Sequence, residues 1–147
     1  MSVHVDVAAD HIRVPLARAR IRDVARRALR AERVRHALVS IAFVDRRRIA
    51  ALSRRHLGRE GATDVIAFSF CRAGVSDPVV GDVYIAPEVA RENARARGIP
   101  VREEIARVII HGVLHVVGYD HPDEERERSA MWARQERLVR RVRWSRG

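Results

Sequence analysis

The segment Val108-Ile-Ile-His111-Gly-Val-Leu-His115-Val-Val-Gly118-Tyr-Asp120-His121 constrains this chain more than any other. From Val108 to Val117 a helix through it is apolar on every side except at the two histidines, and a helix apolar all round belongs in a core. Residues four apart lie one above the other on a helix face, so His111 and His115 aim two imidazoles at one point. Gly118 can end the helix, because glycine adopts the left-handed conformation without a Cβ penalty. The chain can then fold back and bring His121 to the same point. Burying imidazoles costs free energy unless both ring nitrogens find partners. A metal on one nitrogen and an acceptor on the other supply them. Three neutral imidazoles suit zinc, and three protein ligands leave the fourth tetrahedral position for water, as catalytic sites do. The expectation is one Zn2+ per chain on His111, His115 and His121. Hydrogen-bonded core histidines are the alternative.

The spacing matches the zinc-peptidase pattern H-E-x-x-H-x-x-G-x-x-H at each ligand and at the glycine. Gly112 stands where that pattern has glutamate, the general base that activates water on a peptide carbonyl. The chain keeps the metal cradle and lacks the base. A metallopeptidase stays open as a second reading.

A length of 147 residues favours one domain with a real core, spanning residues 1–147. No apolar run is long enough for a spanning helix, and the first residues show no secretory signal. The single Cys71 cannot close an internal disulfide; it suits a reducing cytosol and reads as a small apolar residue. A cytoplasmic location is expected. The formal net charge is +10, and all 29 basic residues are arginine. The total absence of lysine looks like genome-wide codon bias. The sign of the charge points to a polyanion, with RNA or DNA the default. Aromatic residues are scarce and not interleaved with the basic ones, so no stacking platform is visible.

Residues 2–8 alternate with period two and predict a strand. A helix follows over about 15–31, with Ala17, Ile21, Val24, Ala25, Ala28 and Leu29 as its apolar face. Arginines 18, 22, 26 and 30 then form a solvated face. Residues 36–44 predict a second strand, and Asp45 caps a helix over 46–57. Strands are expected at 63–70 and 79–85. Pro87 opens a helix that Gly98 closes, and Val101–Gly118 is the core helix. A last helix starts near Pro122, acidic first and arginine-rich at its end, as the helix dipole favours. It buries Met131, Leu138, Val139 and Val142. Strand–helix–strand twice over predicts parallel pairing by right-handed crossovers, and the helix-free connection predicts strands three and four antiparallel. The fold class is α+β: a mixed four-stranded sheet with packed helices and a zincin-like metal helix in the core.

Three blocks together resemble one family. They are His111-Gly-Val-Leu-His115-x-x-Gly118-Tyr119-Asp120-His121, Thr63-Asp64-Val65-Ile66-Ala67-Phe68, and Gly81-Asp82-Val83-Tyr84-Ile85. In order and spacing they are similar to the YbeY family of bacterial zinc-dependent endoribonucleases, also described as rRNA maturation factors. The resemblance covers nearly the full length and implies a mixed sheet with helices around it. It implies RNA as partner, namely rRNA precursors and the small ribosomal subunit, with ribosomal proteins or a ribosome-associated GTPase as further partners, and no membrane. One departure matters. Before Thr63 the family usually has an aromatic or histidine followed by an arginine that acts on RNA; here those positions are His56 and Leu57. Arg55 and Arg59 flank the place, and either reaches the same phosphate or is ordinary solvated arginine. Ser53 stands where the family often has asparagine.

The leading reading is a single-strand-directed, zinc-dependent endoribonuclease in rRNA processing, with Asp120 and Arg59 as candidate catalytic residues. Zinc lowers the pKa of water toward about 7 or binds a phosphate oxygen as a Lewis acid. If the RNA 2′-hydroxyl is the nucleophile, no glutamate is needed at position 112; the sequence does not choose between that hydroxyl and water. Asp120 is an acceptor behind a ligand, a proton carrier, or a solvent-facing turn residue. A third reading is a non-catalytic ribosome-binding factor with a structural zinc. No organic cofactor site is expected.

Overall fold

The structure is a computed structural model and describes residues 2–9, 11–70, 77–119 and 130–144. Four strands and five helices follow in the order β1 (Ser2–Ala8), α1 (Arg18–Ala31), β2 (His36–Phe43), α2 (Arg46–Leu57), β3 (Val65–Ser69), β4 (Val79–Ile85), α3 (Pro87–Arg97), α4 (Val101–Val117) and α5 (Ala130–Arg140). The expected start of the last helix at Pro122 lies outside the described residues. The caps have local causes. Asp45 accepts from the Arg48 N–H at 2.7 Å and starts α2. Pro87, which has no N–H to leave orphaned, sits in the first turn of α3. Helix α1 begins at Arg18, three residues after Pro15.

The strand order is β1-β2-β4-β3. β1 pairs with β2 and β2 with β4, both parallel, while β3 runs antiparallel to β4. The first parallel pair and the antiparallel final pair are as the order of elements predicts. The second expected parallel pair does not form: α2 leads not to a neighbour of β2 but to the far edge, and β4 takes the place beside β2. An edge strand of five residues there satisfies β4 through a connection too short for a parallel return.

One face of the sheet is fully covered. Val5, Val7, Val39, Ile41, Val83 and Ile85 point to it and are buried under α1 and α4. Helix α4 contributes Ile105, Ile109, Ile110, Val113 and Leu114, none more than 1 % exposed, each worth roughly 1.5–3 kcal/mol relative to exposure. Helix α5 adds Met131, Leu138 and Val139, with Val142 half-buried. Among the described residues, the opposite face is covered at one corner, where Ile49 and Leu52 of α2 meet Ile66, Ala86 and Val89.

Two arginines expected in solvent have structural partners. Arg18 donates to the Val7 carbonyl at 2.8 Å and Arg22 to the Val5 carbonyl at 3.3 Å. These carbonyls lie on the outer edge of β1, so the guanidinium groups satisfy backbone acceptors that an edge strand otherwise exposes.

Candidate metal centre

Helix α4 reaches its position through two glycines. A Cβ on Gly112 would lie 2.5 Å from Cγ1 of Val83 and 3.4 Å from Cγ2 of Val65, and one on Gly81 would lie 2.5 Å from Val116 and 2.6 Å from the Phe68 carbonyl oxygen. Helix and sheet therefore touch backbone-close along this line. Gly112 faces the sheet, and a glutamate there would have to enter the packed layer between α4 and β4. The position that supplies the peptidase base is thus unavailable to it.

One turn apart on the adjoining side of α4, His111 and His115 meet. Their ring centroids are 4.7 Å apart and their planes cross at 75°. His111 is buried and His115 half-buried. Just beyond, Gly118 closes the helix with φ +130° and ψ 2°, its N–H donating to the carbonyls of Leu114 and His115. That dihedral lies in the glycine-favouring region, as the sequence predicts, although it is wider than a standard left-handed turn. His121 and Asp120 lie outside the described residues. Among the described residues, no three His, Cys, Asp or Glu side chains gather around one point.

The donor set fits zinc as far as it is described. His111 Nδ1 lies 2.7 Å from Gln135 Oε1, which leaves Nε2 as the nitrogen suited to a metal. Behind Gln135 runs a polar cluster that sequence reasoning missed. Gln135 Nε2 donates to Glu136 at 3.1 Å. Arg107 grips Glu136 with two nitrogens, at 2.9 and 3.0 Å, and donates to Glu104 at 2.8 Å. Burial alone would raise the Glu136 carboxyl, but hydrogen bonds from Arg107 and Gln135 and the charges of Arg107 and Arg97 hold it below the usual range. Burial alone would lower the Arg107 guanidinium; Glu136 and Glu104 hold it above its usual range. A signal for Gln135 existed: positions 131, 135, 138 and 139 share the inner face of α5, and a polar residue at the second of them needs a buried partner.

Beside His111 opens a cleft of about 450 Å³, lined by Thr63, Asp64, Asn93, Arg97, Trp132 and Gln135 among others. Asn93 donates to Asp64 at 3.3 Å within it. The Thr63-Asp64 block thus borders the same space as the histidines. Arg59 does not line it among the described residues. Arg59 is exposed just past α2, its N–H donating to the Ser53 carbonyl at 3.4 Å, and no described hydrogen bond or ion pair joins it to His111 or His115. His56 packs its ring against Phe68 at 5.2 Å. Leu57 is 46 % exposed, so its side chain is not there to fill the core.

Fold and site define a class: an α+β domain on a mixed sheet, with two histidines one turn apart on a helix buried against it. Comparison with known proteins narrows this. The family model for endoribonuclease YbeY matches residues 5–143. The endoribonuclease YbeY of Geobacillus kaustophilus is 38 % identical over 112 residues, 70 % of this chain and 71 % of that protein. That of Syntrophus aciditrophicus is 32 % identical over 139 residues, 92 % and 87 % of the two chains. The solution structure of TM1509 from Thermotoga maritima superposes with a TM-score of 0.60 at 23 % identity, covering 92 % of this chain and 87 % of that one. This chain belongs to the endoribonuclease YbeY family.

Proposed function

We propose that the chain is an endoribonuclease that cuts single-stranded stretches of ribosomal RNA and its precursors, through one domain over residues 1–147 and one zinc ion held by His111, His115 and His121. The observation that carries this reading is the pair of imidazoles 4.7 Å apart on the buried helix, in a chain of the YbeY family. A bound zinc supplies Lewis-acid charge beside a phosphodiester. The residues of the chain do the rest. His111 and His115 are held by a helix packed on the sheet, so the site is built on rigid elements. Arg59 holds a phosphate of the RNA by its guanidinium fork. Asp120, next to the third ligand, takes a proton from the attacking hydroxyl or carries one to the leaving oxygen. The nucleophile is an RNA 2′-hydroxyl or a water.

The placement of Gly112 argues against a peptidase: that reading needs a glutamate where α4 has no room for a Cβ. In this reading the protein works in the cytoplasm on the small ribosomal subunit, with ribosomal proteins or a ribosome-associated GTPase as partners. No helix among the described residues is long and apolar enough to cross a membrane.

The test pairs metal analysis with cleavage. Protein purified without chelator and without a nickel column should contain one zinc per chain, since imidazoles also bind nickel. It should cut single-stranded RNA, lose activity to chelator and regain it with zinc. His115→Ala should abolish cleavage while circular dichroism stays unchanged. Absence of any stoichiometric transition metal, or full cleavage by the His115 variant, overturns the reading. RNA binding without cleavage by the unmodified protein would instead indicate a ribosome-binding factor.

A further inference from the structure

We propose that Gln135 is a positioning residue that sets the tautomer of His111, placing the lone pair on Nε2. The proposal rests on the metal reading only for what that lone pair serves. A neutral imidazole carries its hydrogen on either nitrogen, and only the other nitrogen can bind a metal. Here the choice is imposed by Glu136 through Gln135. The Glu136 carboxylate accepts and cannot donate, so the side of the Gln135 amide that lies 3.1 Å from it is the NH2. The amide oxygen is then the atom 2.7 Å from His111 Nδ1. It too can only accept, so Nδ1 carries the hydrogen. Turning the amide over would set its oxygen against the Glu136 carboxylate and its NH2 against the ring.

Glu136 is itself fixed. Arg107 holds both of its oxygens, at 2.9 and 3.0 Å, and anchors to Glu104 at 2.8 Å. Gln135 and Glu104 are each 2 % exposed, and Arg107 and Glu136 are partly buried beside them, so solvent weakens these contacts little. The line from Glu104 through Arg107, Glu136 and Gln135 thus runs from the first turns of α4, across α5, back to the ring one helical turn below His115. The proposal gives this buried polar cluster a purpose beyond packing. An apolar residue at position 135 would fill the same space on the inner face of α5 and leave the imidazole undirected.

The test begins with the full chain in metal-free form, checked as folded by circular dichroism. Long-range nitrogen–proton NMR of the imidazoles, at a pH where they are neutral, should find His111 with its hydrogen on Nδ1. Gln135→Met keeps the volume and removes the acceptor. It should move His111 toward the other tautomer and weaken zinc binding by about 10–100-fold in competition with a chromogenic chelator. Gln135→Glu combined with Glu136→Gln restores an acceptor to the ring with an amide, not a second carboxylate, facing it, and should restore the tautomer and most of the affinity. The proposal falls if His111 of the unmodified protein carries its hydrogen on Nε2, or if Gln135→Met, still folded, leaves the tautomer unchanged. A packing role alone would lower thermal stability in the Met variant without moving the tautomer, and so counts against it. If the tautomer behaves as stated but the unmodified protein binds no zinc, the metal reading fails and the control by Gln135 stands.

Discussion

Gly112→Ala should destabilise the protein, against the ordinary rule for a helix interior. In an exposed helix the change from glycine to alanine gains about 1 kcal/mol. Here the new methyl would sit 2.5 Å from Val83 Cγ1 and 3.2 Å from Cγ2. Val83 cannot move aside cheaply. It is β-branched, with one favoured side-chain rotamer in most settings, and it is fully buried in the central strand β4. Overpacking of this kind costs about 1–3 kcal/mol, and a contact this deep belongs in the upper half of that range. The net loss is then about 1–2 kcal/mol, which lowers Tm by roughly 2–8 °C in a chain of this size. The assay is urea and thermal unfolding of metal-free protein, so that zinc linkage does not mask the change. The double variant Gly112→Ala with Val83→Ala supplies the internal check. Val83→Ala alone opens a cavity and should destabilise by itself. Together the two should be less damaging than their sum by about 1 kcal/mol or more, because the new methyl enters the space the valine leaves. A rise in stability on Gly112→Ala alone, with additive behaviour in the pair, would refute the close approach of α4 to β4. It would also remove the structural reason for the missing glutamate.

Other outcomes follow from the same geometry. Gly118→Ala meets open space but forces a Cβ at φ +130°, so it should cost roughly 1–2 kcal/mol by urea unfolding and weaken zinc binding by chelator competition. Arg107→Met should cost about 3 kcal/mol by denaturation, because it takes the 2.8 Å partner from the buried Glu104, leaving Arg97 at 3.6 Å, and both hydrogen bonds of Arg107 from the partly buried Glu136. The Glu136 pKa is depressed in the folded protein, so its contribution is present above the unfolded carboxylate range and is lost as pH falls through the lower folded value. Stability measured from pH 7 down into the acid range should therefore drop less steeply in Glu136→Gln than in the unmodified protein. RNA affinity should fall steeply with salt, and Arg59→Ala should flatten the log–log slope by about one unit. If Arg59 has taken over the role vacated at Leu57, that variant should also cleave slowly at saturating RNA; full cleavage there would remove Arg59 from the site.

The sequence by itself determined the elements that have local causes. Period-two alternation placed β1, the Asp45 side chain and Pro87 placed two helix starts, and the apolar ring from Val108 to Val117 marked α4 as the core helix. It also placed His111 and His115 on one face and Gly118 at a positive φ, since both follow from helix geometry and glycine stereochemistry. Strand order was a tertiary decision: whether β3 or β4 lies beside β2 depends on which apolar face α4 covers, and no local pattern records that. The partners of Arg18 and Arg22 were decided in the same way, because a guanidinium reaches an edge carbonyl only once β1 has been laid beside α1. Gly112 read as a missing base in the sequence; only the packing of α4 on Val83 turned it into a contact that excludes one. The Gln135 contact to His111 spans 24 residues, and no spacing rule links positions on two helices before they are packed. The sequence named the candidate metal ligands, and the docking of α5 on α4 set Gln135 against Nδ1 of His111.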